Sequence, residues 1–195
     1  MIITPDKFKP LNGAAWNPNN VIHRDDGGMN LKMDKTGRGA CVVTSGLLDC
    51  MYANLNIRAR LPRGTGLHAT LYLLGNNAPK VGGGGASGEI DIMETYGKVS
   101  GTSIYSPGRR SVAYDPGTDD HTYSLKWSKG RVETLIDGKT MAVWTPTWWE
   151  KLWGGWKLDK QPMFLVFELS NSSVQRPDKT TVLPAYLEIQ SVEMT

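Results

Sequence analysis

Residues 88–97 read GEIDIMETYG, and Glu89, Asp91 and Glu94 bring three carboxylates into one short stretch. Ile90, Ile92 and Met93 between them mark a β-strand. Strict alternation puts Glu89 and Asp91 on one face with Met93 and sends Glu94 to the other. One extra residue, a β-bulge at Ile92–Met93, returns Glu94 to the face of the other two. Three acids on one surface repel one another, so their pKa values separate and at least one keeps a proton near neutral pH. An ionised carboxylate beside a protonated one is the pairing that glycoside hydrolysis uses, as nucleophile and general acid. Spacing is the hard part. Allowing for the bulge, the two glutamate Cα atoms stand ~13 Å apart at ~3.3 Å per residue. Retaining chemistry wants carboxyl groups about 5–5.5 Å apart. Side chains leaning together on a twisted strand, with Asp91 as a bridge, narrow that gap. The competing reading is an acidic, solvated strand face with no chemistry.

The chain that must position these acids has 195 residues, of which 39% are hydrophobic, with 22 glycines and 11 prolines. It reads as one domain spanning residues 1–195, turn-rich and globular. ACVVTSGLLDC, LNIRARLP, HATLYLLG, HTYSLKWS, RVETLIDGKTMAVW, PMFLVFELS and AYLEIQSVEM are short runs rich in β-branched and aromatic residues, separated by Gly, Pro, Asn and Asp. Such spacing predicts an all-β antiparallel sandwich. Asp137–Gly138 between apolar runs is a hairpin signal. TWWEKLWG is the single helical candidate, ended by Gly154 and Gly155. KVGGGGASG, residues 80–88, reads as a flexible loop. No internal repeat or dividing linker is visible.

Several function classes are excluded. A net charge of +3 is too small to argue for nucleic acid, and PGRR is only a short basic turn. No apolar run approaches the ~20 residues of a membrane span. MIITPDKFKP lacks the basic and apolar regions of a signal peptide, leaving a processed domain or exit by lysis. Cys41 and Cys50 form one disulfide if their strands are neighbours, or stay as two small buried thiols, the favoured alternative. His23, His68 and His121 have no zinc-ligand spacing, so no metal is expected.

ASGEIDIMETYG resembles the active-site strand of glycoside hydrolase family 16 in its bulged E-x-D-x-x-E form, shared by laminarinase-like β-1,3-glucanases, agarases and carrageenases. TSGLLDCMYANLNIRARLPRGTGLHATLYLLG, HTYSLKW, LIDGK, KQPMFLVFELS and AYLEIQSVEM follow in the family's order, so the resemblance covers residues 44–194. It implies a concanavalin-like β-jelly roll of two antiparallel sheets with a carbohydrate cleft. It also implies Glu89 as nucleophile, Glu94 as general acid/base, Asp91 as the residue assisting the nucleophile, and no cofactor. Some relatives carry a structural calcium, but no acidic loop identifies one here. The sequence departs from the family where sugars are contacted. His68 and Tyr72 stand at tryptophan positions, Ile104 where a site histidine is common, and Glu168 at a usual asparagine.

Other candidates are weighed beside plainer readings. Trp144, Trp148, Trp149, Trp153 and Trp156 crowd one segment. Indole faces suit the C–H faces of sugars, and core packing is the alternative; Trp148 and Trp153 are the expected platforms. Tyr96 is a cleft or a core aromatic. Arg58 faces the cleft if the family register holds and is a solvated charge otherwise. His121 reads as structural. NSS, residues 171–173, is a glycosylation motif or an ordinary polar loop. The expected protein is a monomeric, retaining, endo-acting β-glycanase working outside the cell or on a cell wall. The altered cleft suggests weak action on laminarin and better action on another wall polysaccharide, such as a galactan. The alternative is a glycan-binding or virion-type attachment module with the same fold.

Overall fold

A computed structural model of the chain describes residues 1–97, 99–172, 177–179 and 181–195. Ser173 of the NSS motif lies outside the described residues. In chain order the elements are β1 (Lys9–Pro10), β2 (Val21–His23), β3 (Met29–Met33), β4 (Ala40–Val43), β5 (Asp49–Cys50), β6 (Ala53–Arg60), β7 (Leu67–Gly75), α1 (Ala78–Val81) and β8 (Glu89–Tyr96). They continue with β9 (Val99–Tyr105), β10 (Arg109–Ala113), β11 (His121–Ser128), β12 (Arg131–Ile136), β13 (Lys139–Trp144), α2 (Trp148–Trp153), β14 (Met163–Asn171) and β15 (Ala185–Met194).

Two antiparallel sheets result, as the spacing of short apolar runs predicts. The first runs β1-β4-β14-β7-β8-β9-β10, with β5 also on β14, and the second runs β13-β12-β11-β6-β15-β3-β2. In β6, Leu55, Ile57 and Ala59 are buried, while Asn54, Asn56, Arg58 and Arg60 are exposed. That strict alternation turns one face of the second sheet to the core and the other to solvent. From the first sheet Leu71, Leu73, Ile90, Ile92, Ile104 and Phe167 point into the same core. Burial of this shared apolar layer is the main driving force holding the sandwich together.

The turn chemistry is as expected at the hairpin, where Asp137 and Gly138 both have positive φ (49° and 78°). The helical segment TWWEKLWG becomes α2. Thr147 and Glu150 form a reciprocal capping box and Gly154 closes the helix in the left-handed conformation. The region read as a flexible loop is instead ordered into α1 and a 3-10 turn at Gly84–Ala86. Cys41 and Cys50 are both free, because β4 and β5 each pair with β14 and not with each other. Burial raises both thiol pKa values, that of Cys50 to about 11.

Phe167 is fully buried and stacks on Phe8, with ring centroids 5.0 Å apart, tying the N-terminal segment to β14. Phe167→Ala is expected to lower stability by about 3–5 kcal/mol, measured as a drop in the urea midpoint at unchanged m-value.

Candidate active site

The strand β8 carries the carboxylates, and its pairing shows how they meet. Against β7, Tyr72 faces Asp91 and Leu71 faces Met93, so Ile92 is the extra residue. Against β9 the register slips by one between Asp91 and Glu94. Ile90, Ile92 and Met93 all enter the core, and Glu89, Asp91 and Glu94 share the outer face. The bulge expected at Ile92–Met93 is present.

Each acid has its own surroundings. Glu89 accepts a hydrogen bond from the backbone N–H of Gly84 at 3.2 Å and bonds to Asp91. The glycine-rich loop reaches it because Gly85 packs directly on the β9–β10 turn, where an added Cβ would fall 1.8 Å from the Pro107 carbonyl oxygen. Asp91 is buried and accepts from the Ser103 hydroxyl. Glu94 is 9% exposed, with His68 Nε2 at 3.2 Å from Oε1 and Arg109 Nη2 donating to Oε2 at 3.0 Å.

These surroundings push the protons apart. Burial, then the charges of Glu89 and Glu94, raise the Asp91 pKa well above the usual carboxylate range. Burial also raises Glu89, partly offset by the Gly84 N–H and the Asp91 hydrogen bond. Burial acts on Glu94 in the same direction. There, hydrogen bonds with His68 and Tyr96 and the charges of His68 and Arg109 outweigh it and hold the carboxyl below its ordinary value.

Of the other expected site residues, His68, Tyr72 and Tyr96 join the carboxylate face. His68 stacks on Tyr96 at 4.3 Å, and its Nδ1 lies 3.4 Å from Ser170 Oγ. Tyr72 sits across from Asp91. Glu168 lies on the same face two strands away from β8 and accepts from the Trp16 indole N–H at 3.2 Å.

Arg58 does not join them. It belongs to the second sheet, and alternation along β6 turns its side chain to that sheet's solvent face, beside Asn56, Thr122 and Glu193. Ile104 is likewise not a site position, since it points into the core and leaves Ser103 and Tyr105 on the outer face. Trp144 and Trp156 are core residues. Trp148 and Trp153 are 61% and 76% exposed on α2, and the ring contact of Trp148 is with Trp149 rather than the acids. His121 is held structurally, with Nδ1 2.6 Å from Asp137 Oδ2.

The sequence reading passed over Arg109, Ser103 and Trp16. The basic PGRR is half turn and half strand: Pro107 and Gly108 make the β9–β10 turn, and Arg109 and Arg110 start β10, an edge strand too polar to show as apolar alternation. Counting register from Asp91 would have found Ser103. Trp16 carries no local signal. Among the described residues no group of three or more His, Cys, Asp or Glu side chains is placed to hold a metal ion.

The family model described as glycosyl hydrolases family 16 matches residues 10–182. Glucan endo-1,3-beta-glucosidase A1 of Niallia circulans is 31% identical over 111 residues, covering 49% of this chain and 16% of that protein. The beta-1,3-glucan-binding protein of Penaeus monodon is 31% identical over 108 residues, covering 44% and 29%. The chain spans less than half the length of these curated relatives. Among solved structures, the laminarinase catalytic domain from Thermotoga maritima superposes with a TM-score of 0.84 at 25% identity, covering 100% of this chain and 93% of that one.

A carboxyl whose pKa rises on folding favours the folded state below its unfolded pKa and loses that advantage as pH climbs through the folded one. Asp91 and Glu89 therefore weaken the fold as pH moves from acid to neutral. Asp91→Asn is expected to raise Tm over the parent more at about pH 7 than at about pH 4. Calorimetry at both pH values checks this, and equal differences would mean that Asp91 ionises as it does in the unfolded chain.

Proposed function

The chain belongs to family 16 of the glycosyl hydrolases, and from that membership and the carboxylate face of β8 we propose an endo-acting hydrolase that cleaves a β-glucan with retention of configuration. The observation that supports this most is the bulge at Ile92, which gathers Glu89, Asp91 and Glu94 on one face. Glu89 attacks the anomeric carbon while Glu94 gives a proton to the departing glycosidic oxygen, leaving a glycosyl ester on Glu89. Glu94 then takes a proton from water, the water oxygen bonds to the anomeric carbon, and Glu89 is released. Asp91 supports the nucleophile. Holding a proton, it donates to Glu89 and keeps that neighbour a carboxylate.

The acids lie on a sheet face rather than at the bottom of a closed pocket, which suits attack within a chain. A β-1,3-glucan is favoured over a galactan. The relatives named above bear on β-1,3-glucan, and Ile104, one of the substitutions that argued against it, faces the core. His68, Tyr72, Tyr96 and Glu168 border the sugar path, and Trp148 and Trp153 add a stacking platform beside it. The platform is fixed to the edge strand by Arg110, whose guanidinium lies 3.5 Å from Glu150 on α2. The place of action is outside the cell or at a cell wall.

A second reading, a glycan-binding module without hydrolysis, is favoured by the name of the Penaeus monodon relative. Variants of the two glutamates separate the readings. Glu89→Gln is expected to reduce laminarin hydrolysis by about a thousand-fold or more while oligosaccharide binding survives. Wild-type turnover in that variant, by reducing-sugar assay, would remove Glu89 from the reaction. For Glu94→Ala, added azide should restore turnover on an activated aryl glycoside and yield the β-glycosyl azide, whereas an α-azide would mean inversion. Trp153→Ala should raise KM more than it lowers kcat, because stacking remote from the bond is mostly uniform binding.

A further inference from the structure

Glu94 is the most heavily engaged of the outer carboxyls, and its partners suit an anion. Arg109, His68 and the Tyr96 hydroxyl all bond to it, and Asp91 and Glu89 on β8 with Tyr105 on β9 complete its titratable surroundings. The reaction proposed above asks the opposite of it, a proton to give away.

The partners differ in how firmly they are held. His68 is 17% exposed in its side chain, stacked on Tyr96 and within reach of Ser170, so it stays. Arg109 is different. It opens the edge strand β10, its side chain is 48% exposed, and its guanidinium lies 5.7 Å from the Tyr105 ring centroid. A guanidinium carries five N–H donors. Beside it lies a hollow of about 130 Å³ bordered by Glu94, Tyr96, Gly101, Arg109 and Ser111. Gly101, paired with Glu94 on one side and Ala113 on the other, lets β10 pack closely at the border of that hollow, since an added Cβ would fall 2.5 Å from the Val112 carbonyl oxygen.

We propose that Arg109 is a latch on Glu94: it sits on the carboxylate while the outer face is empty, and a sugar residue entering the hollow draws it away by offering hydroxyl oxygens to its donors. This rests on Glu94 being the general acid. Moving a cation off a carboxylate favours the protonated form, so Glu94 gains its proton when a leaving group is in place to receive it. The guanidinium itself carries no proton in the reaction; it acts through Glu94.

Carbon-13 NMR of the full chain labelled in glutamate reads this without turnover, with the Glu94 carboxyl signal assigned by its loss in Glu94→Gln. Arg109→Met should shift the Glu94 titration midpoint upward, and Arg109→Lys, which keeps the charge, should shift it less. Adding laminarin oligosaccharides to Glu89→Gln protein should raise the midpoint, and adding them to the Glu89→Gln/Arg109→Met double variant should move it little. An unchanged midpoint in Arg109→Met overturns the latch. A midpoint that the oligosaccharide does not move, bound or unbound, overturns release by sugar. Hydrolysis by Glu89→Gln would sink the proposed reaction instead, and the midpoints would still report on the Arg109–Glu94 pair.

Discussion

The site depends on one extra residue in β8. Without Ile92 out of register, Glu94 would face the core with no partner for its charge, a placement costing several kcal/mol. The bulge is tolerated because both residues it turns inward are apolar: Ile92 and Met93 are completely or almost completely buried in the shared core. A bulge also frees backbone groups that need partners. Thr102 on β9 supplies one, donating its hydroxyl to the Asp91 carbonyl at 2.7 Å, and Thr134 of the opposite sheet lies 3.1 Å from the same hydroxyl oxygen. The core thus holds the irregularity in place from below while the acids use it above.

Packing three carboxyls on one face sets the electrostatics of everything near them. The acids cannot all ionise at low cost, and their neighbours decide which one gives way. Asp91, buried between two other acids, is the one driven to hold a proton. Glu94 is the one relieved, by His68 from β7 and Arg109 from β10. Neither lies on β8 itself: they come to Glu94 from 26 residues before it and 15 after it. The order of strands in the sheet, rather than any local motif, therefore determines the charge state of the site. It also explains why a helix such as α2 matters here. Arg110, the neighbour of Arg109, lies over the Trp156 ring at 5.2 Å and pairs with Glu150, so the start of the edge strand is anchored from its inner side.

What was legible in the sequence follows from range. Period-two runs, Asp137–Gly138 and the capped WWEKLW segment depend on near neighbours, and the sandwich, the hairpin and α2 were readable from them. Glu89, Asp91, Glu94 and Tyr96 lie on one strand, and placing the three acids on one face required the bulge. His68 and Tyr72 followed from the family resemblance, which sets them at tryptophan positions. The failures are errors of side and of sheet. Arg58 alternates correctly but on the wrong sheet, and Ile104 is one residue off the outer face. β10 is exposed along nearly its whole length, so no apolar signal marked it as a strand, and Arg109 went unseen with it. Trp16 meets Glu168 across 152 residues, a contact that only the assembled sheet creates.

Beyond the acids, the outer face of the first sheet has two characters. Toward β4 and β14 it is apolar, where Cys41, Val43, Phe164 and Val166 are covered by Leu11, Trp16, Tyr72 and Leu74. Toward β9 and β10 it is polar and charged, with Ser103, Ser111 and Arg109 beside the acids. A sugar polymer has both kinds of surface, C–H faces and a fringe of hydroxyls. In the proposed reaction, a chain crossing the strands would rest on hydrocarbon at one end and exchange hydrogen bonds at the other. The bond to be cut would fall over β8 between them. The Trp16–Glu168 bond secures the apolar end and the Arg109–Glu94 pair governs the polar end. In the proposed latch, occupation of the polar end is what changes the charge on Glu94, the acid that protonates the departing oxygen.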